Sequence, residues 1–171
     1  MRNIFLIGFM GCGKSTVADK FQELYGMQIR EMDQIIAERA GKSIPHIFEE
    51  CGEEYFRDLE SHTLKDICQG TGQVVSCGGG IVLRDENVSG MKSSGVVIWL
   101  TAKPETILER VVGDENRPIL QGKKTLEDIV ELMERRHDKY EKAADVVILT
   151  DDKSIQAICE EIVHNLTQIG E

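Results

Sequence analysis

The stretch that decides the fold lies at the N-terminus, where residues 3–16 read NIFLIGFMGCGKST. Residues 3–7 form an almost continuous apolar run, which predicts a strand buried on both faces. Residues 8–15 match the pattern G-x-x-x-x-G-K-[ST], and a helical pattern follows over residues 14–25 and stops at Gly26. A strand, a glycine-rich loop and a helix in this order predict a phosphate-binding loop.

The residue types in this loop suit the phosphate tail of a nucleotide. Glycines let successive backbone N–H groups converge on phosphate oxygens, and the helix behind them adds the positive end of its dipole. Lys14 is predicted to reach the β- and γ-phosphates of ATP, and the Ser15 hydroxyl is predicted to ligate Mg²⁺. Cys12 is interpreted as a small loop residue without chemistry of its own. The predicted nucleotide ligands in the loop are Gly11, Cys12, Gly13, Lys14, Ser15 and Thr16.

Short apolar runs and helical patterns alternate along the rest of the chain, which predicts a doubly wound α/β domain. In such a domain, ligands bind beyond the carboxyl ends of the strands. Three of the predicted strands are nearly continuous runs of Val, Ile and Leu, as expected for parallel strands covered on both faces. The predicted strands are 3–7, 27–31, 74–77, 96–100 and 146–149. The predicted helices are 14–25, 34–40, 43–48, 53–69, 104–112, 125–142 and one capped by Ser154.

Length and composition bound the functional class. The chain has 171 residues, enough for one domain, and 20 basic against 30 acidic residues give a net charge of −10. An acidic chain of this kind is not expected to bind nucleic acid or anionic membranes, because its field repels phosphate backbones. Five cysteines without a C-x-x-C pair predict neither a disulfide framework nor a zinc site, and they favour a cytoplasmic protein. No apolar run approaches the roughly 20 residues of a membrane span.

The position of the acidic residues narrows the class of phosphate-loop protein. The D-x-x-G and N-K-x-D motifs of a switch GTPase are absent from the sequence. The strand at 74–77 runs into Gly78-Gly79-Gly80 without the carboxylate that a motor-type ATPase places there. Acidic residues instead end the second strand, at Glu31 and Asp33. This arrangement favours a kinase that acts on a small metabolite.

Two arginines are candidates for binding an anionic substrate. Arg136 shares a helix face with Ile129, Met133 and Tyr140, so it points inward and needs an anion. A protein carboxylate could satisfy it equally well. Arg57 lies between Glu53 and Glu60 at helical spacing, and ordinary pairing along the helix explains it as readily as substrate binding.

Two loops are further candidates for the site. The triglycine at 78–80 ends a core strand, which suggests close approach of the backbone to a ligand, although a flexible loop would have the same composition. Arg117 lies in a polar, glycine-bracketed segment, about 113–124, which is predicted to close over a site. A plain solvated loop is the alternative there.

Taken in order, these residues resemble shikimate kinase, and the resemblance runs over essentially the whole chain. A phosphate loop alone would not separate this family from other kinases, but the ordered set is specific. The matching pieces are IFLIGFMGCGKST at 4–16, Met32-Asp33, GKSI at 41–44, IF at 47–48, GE at 52–53, FR at 56–57, Glu60, GGG at 78–80, RPIL at 117–120, and Arg136 with Tyr140.

The resemblance implies a P-loop three-layer α/β/α sandwich with a five-stranded parallel sheet, formed as one domain over residues 1–171. It also implies a lid at about 113–124 and substrate-binding helices at about 33–61. The implied reaction is the ATP- and Mg²⁺-dependent phosphorylation of the shikimate 3-hydroxyl, a step towards chorismate and the aromatic amino acids. The implied partners are shikimate and ATP only, and we expect a monomer.

The resemblance also implies roles for individual residues. Asp33 binds the ring hydroxyls and is the candidate base, with Lys14 and Arg117 as the other catalytic residues. Arg57, Arg136 and the Gly79 backbone hold the substrate carboxylate, and Glu60 holds Arg57. Arg117 reaches the phosphates from the lid. Arg110 lies against the adenine, although an arginine at a helix C-terminus also suits the helix dipole.

Two departures from the family pattern leave questions open. The family usually carries Asp-x-Asp after strand two, where this chain has Glu31-Met32-Asp33. Glu31 is expected to act at the metal through water, with Ser76 sharing that role. Residues 151–154 are expected near the adenine but have no assignable pattern. The alternatives are a kinase for another hydroxylated acid, such as gluconate, and a phosphate-loop regulatory protein without turnover.

Overall fold

The architecture is a parallel sheet with helices on both faces. A computed structural model of the chain describes residues 1–111 and 125–170. The predicted lid at 113–124, with Arg117, lies outside these residues. The strands are β1 (Asn3–Ile7), β2 (Gln28–Glu31), β3 (Gln73–Ser76), β4 (Gly95–Thr101) and β5 (Val146–Leu149). The α-helices in the described residues are α1 (Lys14–Tyr25), α2 (Met32–Ala40), α3 (Ile44–Ile67), α4 (Asp85–Ser94), α5 (Pro104–Val111), α6 (Leu126–Ala143) and α7 (Ile155–Gln168).

The five strands are all parallel and have the order β2-β3-β1-β4-β5. β1 is central, and its register places Leu6 opposite Ser76 on β3 and Ile98 on β4. The chain leaves β1 towards β2 and β3 on one side and later fills β4 and β5 on the other. The carboxyl end of β1 is therefore the point where the strand order reverses, which is where α/β sheets bind ligands.

Two apolar layers cover the two faces of the sheet. Ile4, Leu6 and Ile98 pack with Phe21 of α1 and Ile158 of α7. On the opposite face, Phe5, Ile7 and Val97 pack with Leu64 of α3 and Tyr140 of α6. Alternate residues of the same strands thus enter opposite layers, and the predicted three-layer sandwich is confirmed.

Several predicted elements differ from the structure. Helix α4 was not predicted, because Val88 and Met91 alone are too few to mark an apolar face in a mostly polar segment. The two predicted helices at 43–48 and 53–69 run into one another as α3, interrupted only at Gly52, where φ is 83° and ψ is 172°. Helix α2 begins at Met32, so Asp33 lies in its first turn and does not close the strand.

The prediction that the apolar strands are covered on both faces is wrong for β5. Val147 and Leu149 are 53% and 47% exposed, while Val146 and Ile148 between them are buried. β5 is an edge strand, and α7 covers the face that carries Ile148. Within the described residues, no helix has the length and hydropathy needed to cross a membrane.

Candidate active site

The carboxyl ends of β1 and β3, together with the start of α1, surround a cavity of about 370 Å³. Its wall includes part of the segment that joins β1 to α1 and the first two residues of α1; we call this segment, residues 8–15, the phosphate loop. All six predicted nucleotide ligands of that region lie in its wall. The lining residues are Gly11, Cys12, Gly13, Lys14, Ser15, Thr16, Val17, Glu31, Asp33, Ser76, Cys77, Gly78, Gly79, Arg110, Thr150, Lys153, Ile155 and Ile158.

The phosphate loop has its shape because two of its glycines occupy positions closed to other residues. Gly8 has φ 143°, and a Cβ there would lie 2.3 Å from the Leu100 carbonyl oxygen. Gly13 adopts a left-handed conformation, φ 93° and ψ 20°, immediately before α1. The loop therefore packs directly on β4 and turns its backbone towards the N-terminus of α1.

Lys14 is buried at the base of this loop. Its Nζ donates hydrogen bonds to the carbonyl oxygens of Gly8, at 2.6 Å, and Phe9, at 3.1 Å. The ammonium group thus lies within the loop and is satisfied by the loop's own backbone. A nucleotide phosphate would compete with these two carbonyls for the same charge.

Oxygen atoms of the kind that ligate metals lie beside Lys14, at a corner formed by Ser15, Glu31 and Ser76. The hydroxyl oxygens of Ser15 and Ser76 are 3.3 Å apart. Burial raises the pKa of the Glu31 carboxyl, while hydrogen bonds with both serines act in the opposite direction. Hydroxyl and carboxylate oxygens are the hard ligands that Mg²⁺ takes in proteins, so the residues at this corner fit that ion. We call them the metal corner.

The other half of the site is built around the triglycine loop, residues 78–80. A Cβ at Gly78 would lie 2.9 Å from Glu60 Oε2 and 3.3 Å from Asp33 Oδ1. A Cβ at Gly80 would lie 2.3 Å from Arg57 Nη1. The absence of side chains at these positions lets the charged ends of Glu60, Asp33 and Arg57 lie against the loop backbone, as the predicted close approach requires.

Arg57 and Arg136 are both buried, at 6% and 4% exposure. Arg57 donates to Glu60 Oε1 at 2.9 Å and to Glu53 Oε1 at 3.2 Å, so the predicted pairing along α3 is present. The Arg57 guanidinium also lies 5.2 Å from the centre of the Phe56 ring. Arg136 lies on the other side of the triglycine loop, with its Nη1 3.4 Å from a Cβ built on Gly79.

These buried charges have unused hydrogen-bonding atoms. Among the described residues, three buried side-chain atoms have no hydrogen-bond partner: Arg57 Nε, Glu60 Oε2 and Arg136 Nη1. All three belong to groups that contact the triglycine loop. A buried guanidinium nitrogen without a partner costs free energy, so the arrangement suits an anionic group that arrives later.

The predicted residues do not all face the cavity. Asp33, Gly78 and Gly79 line it, whereas Arg57, Glu60 and Arg136 lie behind the triglycine loop and are absent from its wall. Arg110 is exposed and lines the opposite end, where its Nη1 donates to the Gly11 carbonyl at 2.8 Å. Arg135 points away from the site and pairs with Glu131.

Two features of the site were missed in the sequence. The Tyr140 hydroxyl donates to the Gly79 carbonyl at 2.5 Å, a contact that was not predicted, since Tyr140 served only to mark the inward helix face and, with Arg136, the family resemblance. Asp151 accepts hydrogen bonds from the backbone N–H of Lys103, at 2.8 Å, and from Thr106 Oγ1, at 2.5 Å. Both are contacts between residues far apart in the chain, which helical spacing or strand patterns cannot reveal.

The fold and the site together define a class. A phosphate loop, a metal corner and a buried pair of arginines around one cavity are the parts of a phosphate-loop kinase for a small anionic metabolite. Comparison with known proteins gives the family. The family model described as shikimate kinase matches residues 10–167. The chain belongs to the shikimate kinase family.

Relatives and solved structures agree with this family. The shikimate kinase of Persephonella marina is 45% identical over 163 residues, covering 95% of this chain and 98% of the relative. That of Dehalococcoides mccartyi strain BAV1 is 42% identical over 164 residues, covering 96% and 93%. A shikimate kinase from Acinetobacter baumannii, solved in complex with shikimate, superposes with a TM-score of 0.95 at 30% identity, covering 99% of this chain and 95% of that one. The predicted fold and kinase class are confirmed.

Proposed function

We propose that this chain transfers the γ-phosphoryl group of ATP to the 3-hydroxyl of shikimate, giving 3-phosphoshikimate and ADP. One observation carries the proposal. Asp33 and the triglycine loop share a cavity with the phosphate loop, and two buried arginines with unpartnered nitrogens stand directly behind that triglycine loop. A nucleotide tail and an organic acid can therefore be held side by side.

The nucleotide half of the site supplies positive charge and backbone donors. On phosphate binding, Lys14 exchanges its bonds to the Gly8 and Phe9 carbonyls for bonds to phosphate oxygens. The metal corner, Ser15 with Glu31 and Ser76, would hold Mg²⁺, which when bound neutralises charge on the phosphates. Glu31 has one methylene more than the usual Asp, and its contacts with both serines support a role in this shell.

The acid half of the site orients the attacking hydroxyl. Arg57, Arg136 and the Gly79 backbone bind the shikimate carboxylate, since carboxylate oxygens suit guanidinium donors. Asp33 lies on the cavity wall, binds the ring hydroxyls and accepts the proton of the 3-hydroxyl at or after the transition state. Most of the rate acceleration then comes from positioning and charge stabilisation.

The remaining roles are proposed for residues at the edges of the site. Arg110 contacts the phosphate loop and is proposed to lie against the adenine. Arg117, in the proposed lid, is assigned to the phosphates on the family resemblance alone. We also propose that the protein acts as a cytoplasmic monomer that binds no nucleic acid. All five cysteines lie in the described residues and are free, which suits a reducing compartment.

A coupled assay of ADP release tests the proposed function directly. The purified protein is given ATP with Mg²⁺ and either shikimate or gluconate as the acceptor. We expect ADP release with shikimate and none above background with gluconate. ADP release with gluconate alone would favour a different acid kinase, and none with either acceptor would favour a protein without turnover. Omission of Mg²⁺ tests the metal, and light scattering is expected to give the 19.2 kDa mass of one chain.

A further inference from the structure

Tyr140 connects the triglycine loop to the helix that carries Arg136, and both Gly79 and Arg136 are proposed to bind the substrate carboxylate. It lies on α6 one turn after Arg136, and it is 2% exposed. Its hydroxyl donates to the Gly79 carbonyl at 2.5 Å. The positive charge of the Arg136 guanidinium acts on the same hydroxyl and lowers its pKa, against the larger effect of burial. One oxygen atom thus bridges the triglycine loop and α6.

The loop that Tyr140 holds lies beside a free nitrogen of Arg136. Arg136 Nη1 has no hydrogen-bond partner within residues 1–111 and 125–170 and lies 3.4 Å from the position of a Cβ on Gly79, so the unused nitrogen faces the triglycine loop. Without the hydroxyl, the Gly79 peptide beside this guanidinium could rotate. A bidentate carboxylate contact depends on such angles, because the guanidinium donors have a fixed planar geometry.

The surroundings of Tyr140 hold its hydroxyl in place and protonated. Its ring stacks on Trp99 of β4, with centroids 5.5 Å apart and planes 25° from parallel. Burial raises the pKa of Tyr140 to about 12 despite the neighbouring charge of Arg136. The hydroxyl therefore remains a donor towards Gly79 over the whole range in which the enzyme would work.

We propose that Tyr140 is a positioning residue for the substrate carboxylate, holding the Gly79 peptide in its binding geometry beside the Arg136 guanidinium through a single hydroxyl group. The inference rests on the proposed function, since it assigns Gly79 and Arg136 to the carboxylate of shikimate. Tyr140 itself needs no contact with either substrate.

The Tyr140→Phe variant tests this role because it removes the hydroxyl and keeps the ring that packs on Trp99. Each lost hydrogen bond to an aligned group is worth a severalfold change in affinity, so we expect the shikimate KM to rise roughly fivefold to thirtyfold. The ATP KM and kcat are expected to stay within about twofold of wild type. Tyr25→Phe is the matched control, because Tyr25 is 43% exposed at the end of α1; it should leave all three constants unchanged.

A substrate analogue separates positioning from a general structural effect. When the carboxylate of shikimate is replaced by a hydroxymethyl group, the wild type and Tyr140→Phe should have nearly equal KM values. An equal rise for shikimate and the analogue, or a matching rise in the ATP KM, would overturn the role. An unchanged shikimate KM in the variant would also overturn it. If the wild type does not phosphorylate shikimate at all, the proposed function is what fails.

A second measurement leaves the Tyr140 hydroxyl in place, so it tests the proposal even if Tyr140→Phe does not fold. The chain has three tyrosines, so Tyr25→Phe/Tyr55→Phe leaves Tyr140 as the one remaining tyrosine. Labelled with 3-fluorotyrosine, this protein gives a single ¹⁹F resonance. We expect it to shift on addition of shikimate, and much less with the hydroxymethyl analogue. No shift at saturating shikimate would contradict the proposal.

Discussion

Arg57 and Arg136 illustrate how a site can be prepared before its ligand arrives. Arg57 is paired with Glu60 in the interior, and the charge of Arg136 acts on the Tyr140 hydroxyl. Even so, each has a buried nitrogen without a partner. Such groups are costly in a protein that has no ligand, and a carboxylate offsets that cost on binding. Replacement of Arg136 is therefore a direct test of carboxylate binding.

Replacement of Arg136 by alanine removes one of two arginines proposed to bind the carboxylate. Hydrogen bonds to charged groups are worth about 1.5–3 kcal/mol, so we expect the shikimate KM to rise roughly 10–100-fold. The ATP KM is expected to stay close to wild type. Steady-state kinetics with each substrate varied in turn measures both values.

The neighbouring residue provides the control for this variant. Arg135 is exposed and pairs with Glu131 on the surface of α6, so Arg135→Ala should leave the shikimate KM unchanged. If Arg136→Ala kept the wild-type KM for shikimate, Arg136 would not bind the carboxylate.

Removal of the charge on Asp33 should lower turnover and leave folding unchanged. The Asp33→Asn variant keeps the size of the side chain but cannot accept the proton of the attacking hydroxyl. General-base contributions are about 10²–10⁴-fold, so we expect kcat to fall at least roughly a hundredfold while the far-ultraviolet circular dichroism is unchanged. Glu38→Gln, an exposed change on the same helix, should retain activity. Near-wild-type kcat in Asp33→Asn would remove Asp33 from the mechanism.

At the scale of elements, the site is a set of loop-to-helix connections. The phosphate loop joins β1 to α1, the triglycine loop follows β3, and residues 150–154 join β5 to α7. Asp151 ties the last of these to the start of α5, through the Lys103 N–H and the Thr106 hydroxyl. Since α5 carries Arg110 at its other end, this contact connects two elements at the nucleotide end of the cavity.

The Asp151 contact should make stability depend on pH. Burial raises the pKa of its carboxyl, but hydrogen bonds from Thr106 and Lys103 together lower it by more, so the net direction is below the ordinary value of 3.8. A carboxyl with a lowered pKa stabilises the fold above its unfolded-state pKa, and the benefit is lost as pH falls through the folded-state value. Asp151→Asn is therefore expected to be less stable than wild type at pH 7.

Urea unfolding of Asp151→Asn at several pH values measures this dependence. The difference in unfolding free energy from wild type should be largest near pH 7 and should shrink as the pH falls below about 4. Asp152→Asn, a change in an exposed neighbour, should show no such trend. A difference that did not vary with pH would mean that the charge on Asp151 contributes nothing.

At the scale of the whole molecule, the acidic net charge and the anionic ligands are compatible. A net charge of −10 is spread over a surface where salt screens it, with a Debye length of about 8 Å at physiological ionic strength. Lys14 lines the cavity, and Arg57 and Arg136 are buried behind its triglycine loop, where short charged hydrogen bonds are screened much less. Binding is therefore decided by these few residues.

Ligand binding should stabilise the whole fold by mass action. Shikimate at 100 times its Kd adds about 2.7 kcal/mol, which for a chain of this size raises Tm by roughly 5–10 °C. We expect this shift in wild type and Arg135→Ala, measured by thermal unfolding. Arg136→Ala should lose about half of it or more at the same shikimate concentration and retain the shift caused by a non-hydrolysable ATP analogue. A full shikimate shift in Arg136→Ala would contradict the site.

The sequence by itself determined the parts of the molecule that depend on local patterns. Apolar runs such as Asn3–Ile7 predicted strands that lie in the sheet, and the glycines with Lys14 and Ser15 predicted the phosphate loop. These features follow from periodicity and from the backbone freedom of glycine, both of which act over a few neighbouring residues. Helix α4 was not predicted because it has few apolar residues. The exposed face of β5 was not predicted because its residues are apolar although they are exposed.

Only the tertiary structure decided which distant residues meet. The sequence could not settle whether Arg57 and Arg136 are satisfied by protein carboxylates, and the packing of α3 and α6 against the triglycine loop leaves nitrogens of both unpartnered. The contacts of Tyr140 with Gly79 and of Asp151 with Thr106 span 61 and 45 residues. Such contacts are set by the order of strands in the sheet and the packing of whole helices, which no local pattern encodes.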